Sequence, residues 1–214
     1  MKDIRKFVFQ TPTNVMFVGP SGAGKTQLAL KILNNRETLF KNKFNRVIYC
    51  YTAHQPFMSD PMYDYVEFTD KLVDPEDFDE KHHSLLILDD MLHTLSDKRT
   101  AETLSKLFMV NGHHKNITVI MMVQNLFSKE KKFRDLSVNC HYIILFALKR
   151  DLSQVTRLGS QLMPKDSNTF LDIYKQATSE RYSYLLIDLH PSTKYAVLLR
   201  ENILPDDIET VHFR

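Results

Sequence analysis

The chain has 214 residues, 43% hydrophobic and 25% charged, the make-up of a water-soluble globular protein with material for one sizeable core. Lys and Arg number 28 against 26 Asp and Glu, so any basic surface for a nucleic acid must be local. Both cysteines, Cys50 and Cys140, lie inside apolar runs, which excludes a disulfide framework and points to small core residues in a reducing compartment.

The first ten residues turn polar too soon for a secretory signal. Apolar runs such as residues 117–123 are far short of the roughly 20 residues a membrane helix needs, so a soluble intracellular protein is expected. Short apolar runs alternate with longer amphipathic stretches, which predicts βαβ units and a mainly parallel sheet. In chain order, the pattern predicts a strand at 14–18, a helix at 25–34 and a strand at 46–52. Residues 51–80 are rich in Pro, Asp and aromatics and read as an irregular excursion with one short strand at 65–68. Its acidic tail (Asp74, Glu76, Asp77, Asp79, Glu80) reads as a solvated face. Then follow a strand at 84–89, a helix at 100–110, a strand at 117–123, a helix at 132–138, a strand at 142–147 and helices at 152–162 and 167–178. Runs at 182–189 and 195–200 flank His190-Pro191-Ser192-Thr193 and predict a closing β-hairpin. Without repeats or a linker, one domain over residues 1–214 is expected.

Between the first strand and the first helix stands Gly19-Pro20-Ser21-Gly22-Ala23-Gly24-Lys25-Thr26, a full G-x-x-x-x-G-K-T. Its glycines let successive backbone N–H groups curl toward a β-phosphate, and the helix N-terminus adds its positive dipole end. Lys25 is placed to bridge β- and γ-phosphates, and the Thr26 hydroxyl to supply one Mg²⁺ ligand. The motif therefore predicts binding of ATP with Mg²⁺ on residues 19–26.

Ser84-Leu85-Leu86-Ile87-Leu88-Asp89-Asp90 is an apolar strand ending in two acids. A buried parallel strand that ends in Asp puts the carboxylate at the sheet edge where ligands bind in open α/β folds. Asp89 is the candidate Mg²⁺ partner, and Asp90 the group that orients or deprotonates the attacking water. The strand at 117–123 ends in Gln124-Asn125; Gln124 is the candidate γ-phosphate sensor, with Asn125 as its substitute.

Taken in order, these pieces resemble the FtsK–HerA superfamily, above all the genome-packaging ATPases of Maverick/Polinton elements, adintoviruses, virophages and poxviruses. The resemblance is carried by residues 19–26, residues 85–90, Gly112-His113-His114-Lys115-Asn116, Val123-Gln124-Asn125-Leu126-Phe127, and the stretch from Asn139-Cys140-His141-Tyr142 to Lys149-Arg150-Asp151. Gln161-Leu162, Ala177-Thr178 and Tyr184-Leu185-Leu186-Ile187-Asp188 continue it. It implies a P-loop sheet of the RecA/FtsK kind and ATP hydrolysis between neighbouring subunits of a ring. It further implies translocation of double-stranded DNA into a capsid through a capsid or portal-type partner, at the site of virion assembly in the host nucleus or cytoplasm. By family pattern, the additional strand at 46–52, between the phosphate loop and the acids, favours motors with an inserted central strand over nucleotide kinases. Many relatives carry Glu where this chain has Asp90, one methylene shorter. The family's arginine finger has three candidates here: Lys115, Arg150 and Arg157.

Ser128-Lys129-Glu130-Lys131-Lys132-Phe133-Arg134 follows the sensing strand and is the candidate loop for sequence-independent contact with DNA phosphates. The adjacent pairs His82-His83 and His113-His114 point their rings apart, and without C-x-x-C or H-x-x-x-H spacing they argue against zinc. Alternative readings are a nucleoside or shikimate-type kinase, a motor of recombination or conjugation, and a nucleotide-switched binding module.

Overall fold

The computed structural model describes residues 6–91, 98–108, 115–127, 131–193 and 199–212. Its strands are β1 (Asn14–Val18), β2 (Arg46–Cys50), β3 (Val66–Thr69), β4 (Ser84–Asp89), β5 (Ile117–Val123), β6 (Tyr142–Phe146), β7 (Tyr184–Asp188), β8 (Leu199–Glu201) and β9 (Thr210–His212). Its helices are α1 (Lys25–Asn34), α2 (Arg36–Leu39), α3 (Lys98–Lys106), α4 (Lys131–Val138), α5 (Leu152–Leu162) and α6 (Ser167–Ala177). The strands form one sheet in the order β3-β2-β4-β5-β1-β6-β7-β8-β9. Pairing is parallel from β3 through β6 and antiparallel from β6 through β9. The chain is thus an α/β protein with a mainly parallel sheet and an antiparallel C-terminal region.

Side chains alternate across each strand, so helices on both faces turn the central strands into unbroken apolar runs. On one face Val15, Phe17, Ile87, Ile120 and Ile144 pack with Leu28, Ala29, Ile32 and Leu33 of α1. That spacing puts all four α1 residues on one stripe. On the other face Met16, Val18, Leu86, Leu88, Val119 and Ile143 meet residues of α3, α4, α5 and α6, including Leu104, Leu136, Val155 and Phe170. Fully burying each such side chain is worth about 1.5–3 kcal/mol, and these two layers hold the sheet between the helices.

Most predicted elements are present, with instructive differences. The strand at 46–52 ends at Cys50. It pairs outside β4, so the strand separating the acids from the phosphate-loop strand in space is β5, not β2. The short strand read at 65–68 is β3, displaced by one residue and half-exposed at the sheet edge. The helix read at 100–110 begins earlier, at Lys98, and widens into a π-type turn at residues 107–108; residues 109–110 lie outside the described residues. The hairpin forms from β7 and β8, and most of the run read at 195–200 is likewise outside them. Sequence reading missed α2 and β9, both too short to show a periodicity. No helix among the described residues is long and apolar enough to cross a membrane.

Candidate functional site

Parallel strands β1, β4, β5 and β6 all end at one edge of the sheet, and the loops leaving them converge there. The loop from β1 is the cradle. Gly22 (φ 77°) and Gly24 (φ 107°) adopt left-handed backbone that side-chain-bearing residues rarely take. Among the described residues, the amides of Gly22, Gly24, Lys25 and Thr26 donate no hydrogen bond within the chain. Those of Gly24, Lys25 and Thr26 belong to the start of α1, where the first N–H groups have no partner within the helix. At Gly19 a Cβ would sit 2.8 Å from the Cβ of Phe146, so β6 packs against the root of the cradle and fixes it.

Lys25 is buried, and its Nζ donates to the carbonyls of Gly19 (2.6 Å) and Pro20 (3.0 Å) in its own loop. Burial lowers its pKa, while Asp90 and Asp89 pull it back up. Asp89, at the end of β4, is buried too. Its Oδ2 accepts from the Tyr49 hydroxyl (2.8 Å) and from Gln55 Nε2 (3.1 Å). Burial pushes its carboxyl above the ordinary range, opposed first by the Tyr49 hydrogen bond and then by Lys25.

Asp90 stands in left-handed backbone (φ 55°), which is tolerated by Asp more than by most residues and turns the chain sharply off the strand. Gln124 Nε2 donates to its Oδ2 at 3.0 Å, so the last groups of two neighbouring strands meet. Asn125 is turned elsewhere: its Oδ1 accepts from Gln154 of α5 at 3.4 Å. Lys25, Thr26, Asp89, Asp90 and Gln124 line one cavity of about 500 Å³ together with Ser21, Gly22 and Gly24. Pro20 and Ala23 do not line this cavity. Together with Ser21 and Gly22 they border a second one, of about 800 Å³, closed by Arg150 and by residues 178–183. Gln124 and Tyr182 border both cavities.

Tyr49, Gln55 and Tyr182 were not singled out from sequence. Tyr182 has φ 68° and packs its ring on Gly24, where an added Cβ would come within 3.0 Å, while Arg181 stacks over the ring at 4.6 Å. A hydroxyl inside the apolar run Val47-Ile48-Tyr49-Cys50 was the available hint for Tyr49. Its target became visible only once β2 paired with β4.

The three finger candidates separate in space. Lys115 precedes β5 at the opposite edge of the sheet, paired with Glu76 and Glu80 at 3.5 Å each. Two of the acids read as a solvated face are therefore engaged with it. Arg157 lies 4.6 Å over the Phe127 ring, and Arg150 lines the larger cavity. Of the basic loop at 128–134, residues 128–130 lie outside the described residues, and residues 131–134 form the first turn of α4. Histidines 113 and 114 lie outside them as well. His83 is buried, bonding the Thr118 hydroxyl (2.9 Å) and the Lys43 carbonyl (3.1 Å). Both cysteines are buried free thiols, and burial pushes that of Cys50 up to about 12.

No protein-family model matches the chain, and no curated protein matches it. Solved structures do. The genome packaging NTPase B204 from Sulfolobus turreted icosahedral virus 2, in complex with ATP-gammaS, superposes with a TM-score of 0.53 at 13% identity, over 94% of this chain and 96% of that one. B204 described as the DNA-packaging ATPase from Sulfolobus Turreted Icosahedral Virus gives 0.52 at 14% identity, over 94% and 96%. The cytoplasmic domain of the Thermomonospora curvata Type VII secretion ATPase EccC gives 0.53 at 12% identity, over 82% of this chain and 24% of that one. At these identities the likeness is one of architecture, and the chain has the fold of these packaging and secretion ATPases.

Proposed function

We propose that this chain is an ATP-hydrolysing motor that moves double-stranded DNA, of the kind that packages a viral or virus-like genome into a capsid. One observation carries the enzymatic part. At a single sheet edge a phosphate cradle with undonated amides, a buried lysine, two strand-end carboxylates and a strand-end amide line one cavity. The free amides and Lys25 match the oxygens of a β/γ-phosphate pair, and the adjoining cavity has room for the ribose and base.

The donor set also fits Mg²⁺. Thr26 and Asp89 offer hard oxygens and line the same cavity, so both face the place where the phosphates would bring one ion. Among the described residues no cluster of three or more His, Cys, Asp or Glu is gathered for a metal, and a magnesium ion held by substrate phosphates and water needs none. Bound there, Mg²⁺ neutralises charge on the β- and γ-phosphate oxygens. Lys25 leaves its two loop carbonyls to bridge the same phosphates. Asp90 accepts a proton from a water whose oxygen forms the new bond to the γ-phosphorus. The bond from that phosphorus to the β–γ bridging oxygen breaks, giving ADP and phosphate. Gln124, already bonded to Asp90, fixes the carboxylate's orientation and lies within reach of the γ-phosphate.

The DNA-handling part is supported by the order of motifs along the chain and by likeness in fold to B204. In this reading subunits assemble into a ring, basic residues 129–134 grip duplex phosphates, and a capsid or portal-type protein receives the DNA. Arg150 is the finger candidate whose side chain stands at the nucleotide edge. Displacement of a triplex-forming strand from linear duplex DNA tests the reading. ATP-dependent displacement by the wild-type chain and none by Lys25→Ala is expected; ATP hydrolysis without displacement at any protein concentration would restrict the function to a plain ATPase.

A further inference from the structure

Tyr49 is the largest polar side chain buried beside the site, and the chemistry above leaves it unused. It belongs to β2, three places from β1 in the sheet, yet its hydroxyl meets Asp89, one of the two groups assigned to the metal. It donates to Asp89 Oδ2 at 2.8 Å. Gln55, on the other side of the same carboxylate, donates to Oδ2 as well. Both donors therefore fall on one oxygen, and among the described residues no hydrogen bond falls on Oδ1.

The ring that carries the hydroxyl has little freedom. Tyr49 is fully buried, with Phe57 and Phe68 rings at 5.6 and 5.8 Å, and its backbone is locked into the sheet against Ile87 of β4. A rigid aromatic stem in a close-packed core holds its terminal oxygen far better than a surface side chain would.

We infer that Tyr49 is a positioning residue for the metal: with Gln55 it pins one oxygen of Asp89 and leaves Oδ1 to the ion. This rests on the proposed use of Mg²⁺ at Thr26 and Asp89. Tyr49 itself touches neither substrate nor ion. Its loss leaves the amide array and Lys25 intact, so it lowers the part of nucleotide affinity that needs Mg²⁺ and spares the rest. Partners one shell out from a metal ligand typically matter by about 10–100-fold in metal affinity, so a loss of roughly tenfold is expected for Tyr49→Phe.

The experiment measures binding of a fluorescent, non-hydrolysable ATP analogue to the full chain, first in EDTA and then across a titration of free Mg²⁺. Wild type, Tyr49→Phe, Gln55→Leu and Asp89→Asn are compared, with thermal melting as a check on folding. Expected is an EDTA affinity within about twofold of wild type for Tyr49→Phe and Gln55→Leu, with the Mg²⁺-dependent gain reduced roughly tenfold by Tyr49→Phe. Gln55→Leu, which removes a longer hydrogen bond on the same oxygen, should reduce the gain less, and Asp89→Asn should remove most of it. A Tyr49→Phe chain that loses affinity equally with and without Mg²⁺ would show a packing role only and overturn the inference, as would an undiminished Mg²⁺ gain. Should Tyr49→Phe fail to fold, Gln55→Leu carries the test alone, and an unchanged gain there overturns the shared pinning of Oδ2. If the wild type itself gains nothing from Mg²⁺, or Asp89→Asn keeps the full gain, the metal assignment beneath the inference falls instead.

Discussion

Where β1 ends, Lys25 is buried with the carbonyls of Gly19 and Pro20 against its ammonium, while two carboxylates stand across the cavity. Toward the opposite edge, Arg200 is part-buried and ion-paired with Asp188 (3.7 Å) and Glu209 (2.5 Å), its guanidinium over the Phe7 ring. Nearby Asp188 also accepts from the Thr193 hydroxyl and the His190 amide. One end of the sheet closes its buried charges among themselves, and the other leaves them facing an opening. Desolvating a charge is costly unless it is paired, so an end that tolerates incomplete pairing is storing interaction for a ligand.

Substitutions at the two cations should therefore fail in opposite ways. Lys25→Ala is expected to abolish measurable hydrolysis, a fall of at least about 10³-fold, while shifting the melting temperature little, because the hydrogen bonds it gives up go to neutral carbonyls. Arg200→Met should leave Asp188 and Glu209 buried without their cation and lower stability by about 3–5 kcal/mol in a denaturant titration. Its folded fraction should still bind nucleotide as the wild type does. A catalytic defect in folded Arg200→Met, or a large loss of stability in Lys25→Ala, would break the division between the two ends.

The two acids at the open end sharpen the comparison further. Asp90→Asn keeps the bond partner of Gln124 but removes the proton acceptor, so turnover should drop roughly 10²-fold or more with nucleotide binding retained. Rapid-quench turnover beside an equilibrium binding curve separates the two quantities. Gly19→Ala tests the frame rather than the chemistry. The added methyl meets Phe146 at 2.8 Å, part of a strand that cannot retreat, so a loss of about 1–3 kcal/mol is expected along with weaker nucleotide binding.

The smallest effect is expected where an ion pair of the same chemistry is exposed. Arg46 holds Glu67 on edge strand β3 through two bonds of 2.8 and 2.7 Å, and this hydrogen bonding keeps the Glu67 carboxyl below its ordinary value of 4.5. A depressed folded pKa gives stability that is present above about pH 4.5 and is lost as the pH falls through the folded value. Because the pair is largely in water, Glu67→Gln should cost less than about 1 kcal/mol at pH 7 and nothing in acid. A cost rivalling that of Arg200→Met would mean that charge pairing, not burial, sets the contrast.

What could be read from the sequence follows the same divide between local and distant causes. The loop after β1, the strand before it and the helix after it were legible, because the glycines, the lysine and the helix start interact within a few residues of one another. Asp89 and Gln124 were legible as strand ends, since an apolar run that stops at a polar residue marks the edge of a sheet. Tyr49 and Gln55 were not, because what they do depends on β2 lying beside β4 and on the excursion after β2 folding back over it. Lys115 looked like a basic residue near the site until β5 placed it at the far edge, against Glu76 and Glu80. Edge strands β3 and β9 carry too few buried residues for alternation to be read with certainty of register.

The most direct measurement of the central assignment is steady-state ATP hydrolysis by the purified chain, with Mg²⁺, in the presence and absence of linear duplex DNA of unrelated sequences. Hydrolysis that requires Lys25, rises with duplex DNA whatever its sequence, and loses that rise in high salt is the expected result. A chain that binds ATP without turning it over, or whose turnover is indifferent to DNA at every protein concentration tried, would contradict a DNA-translocating motor.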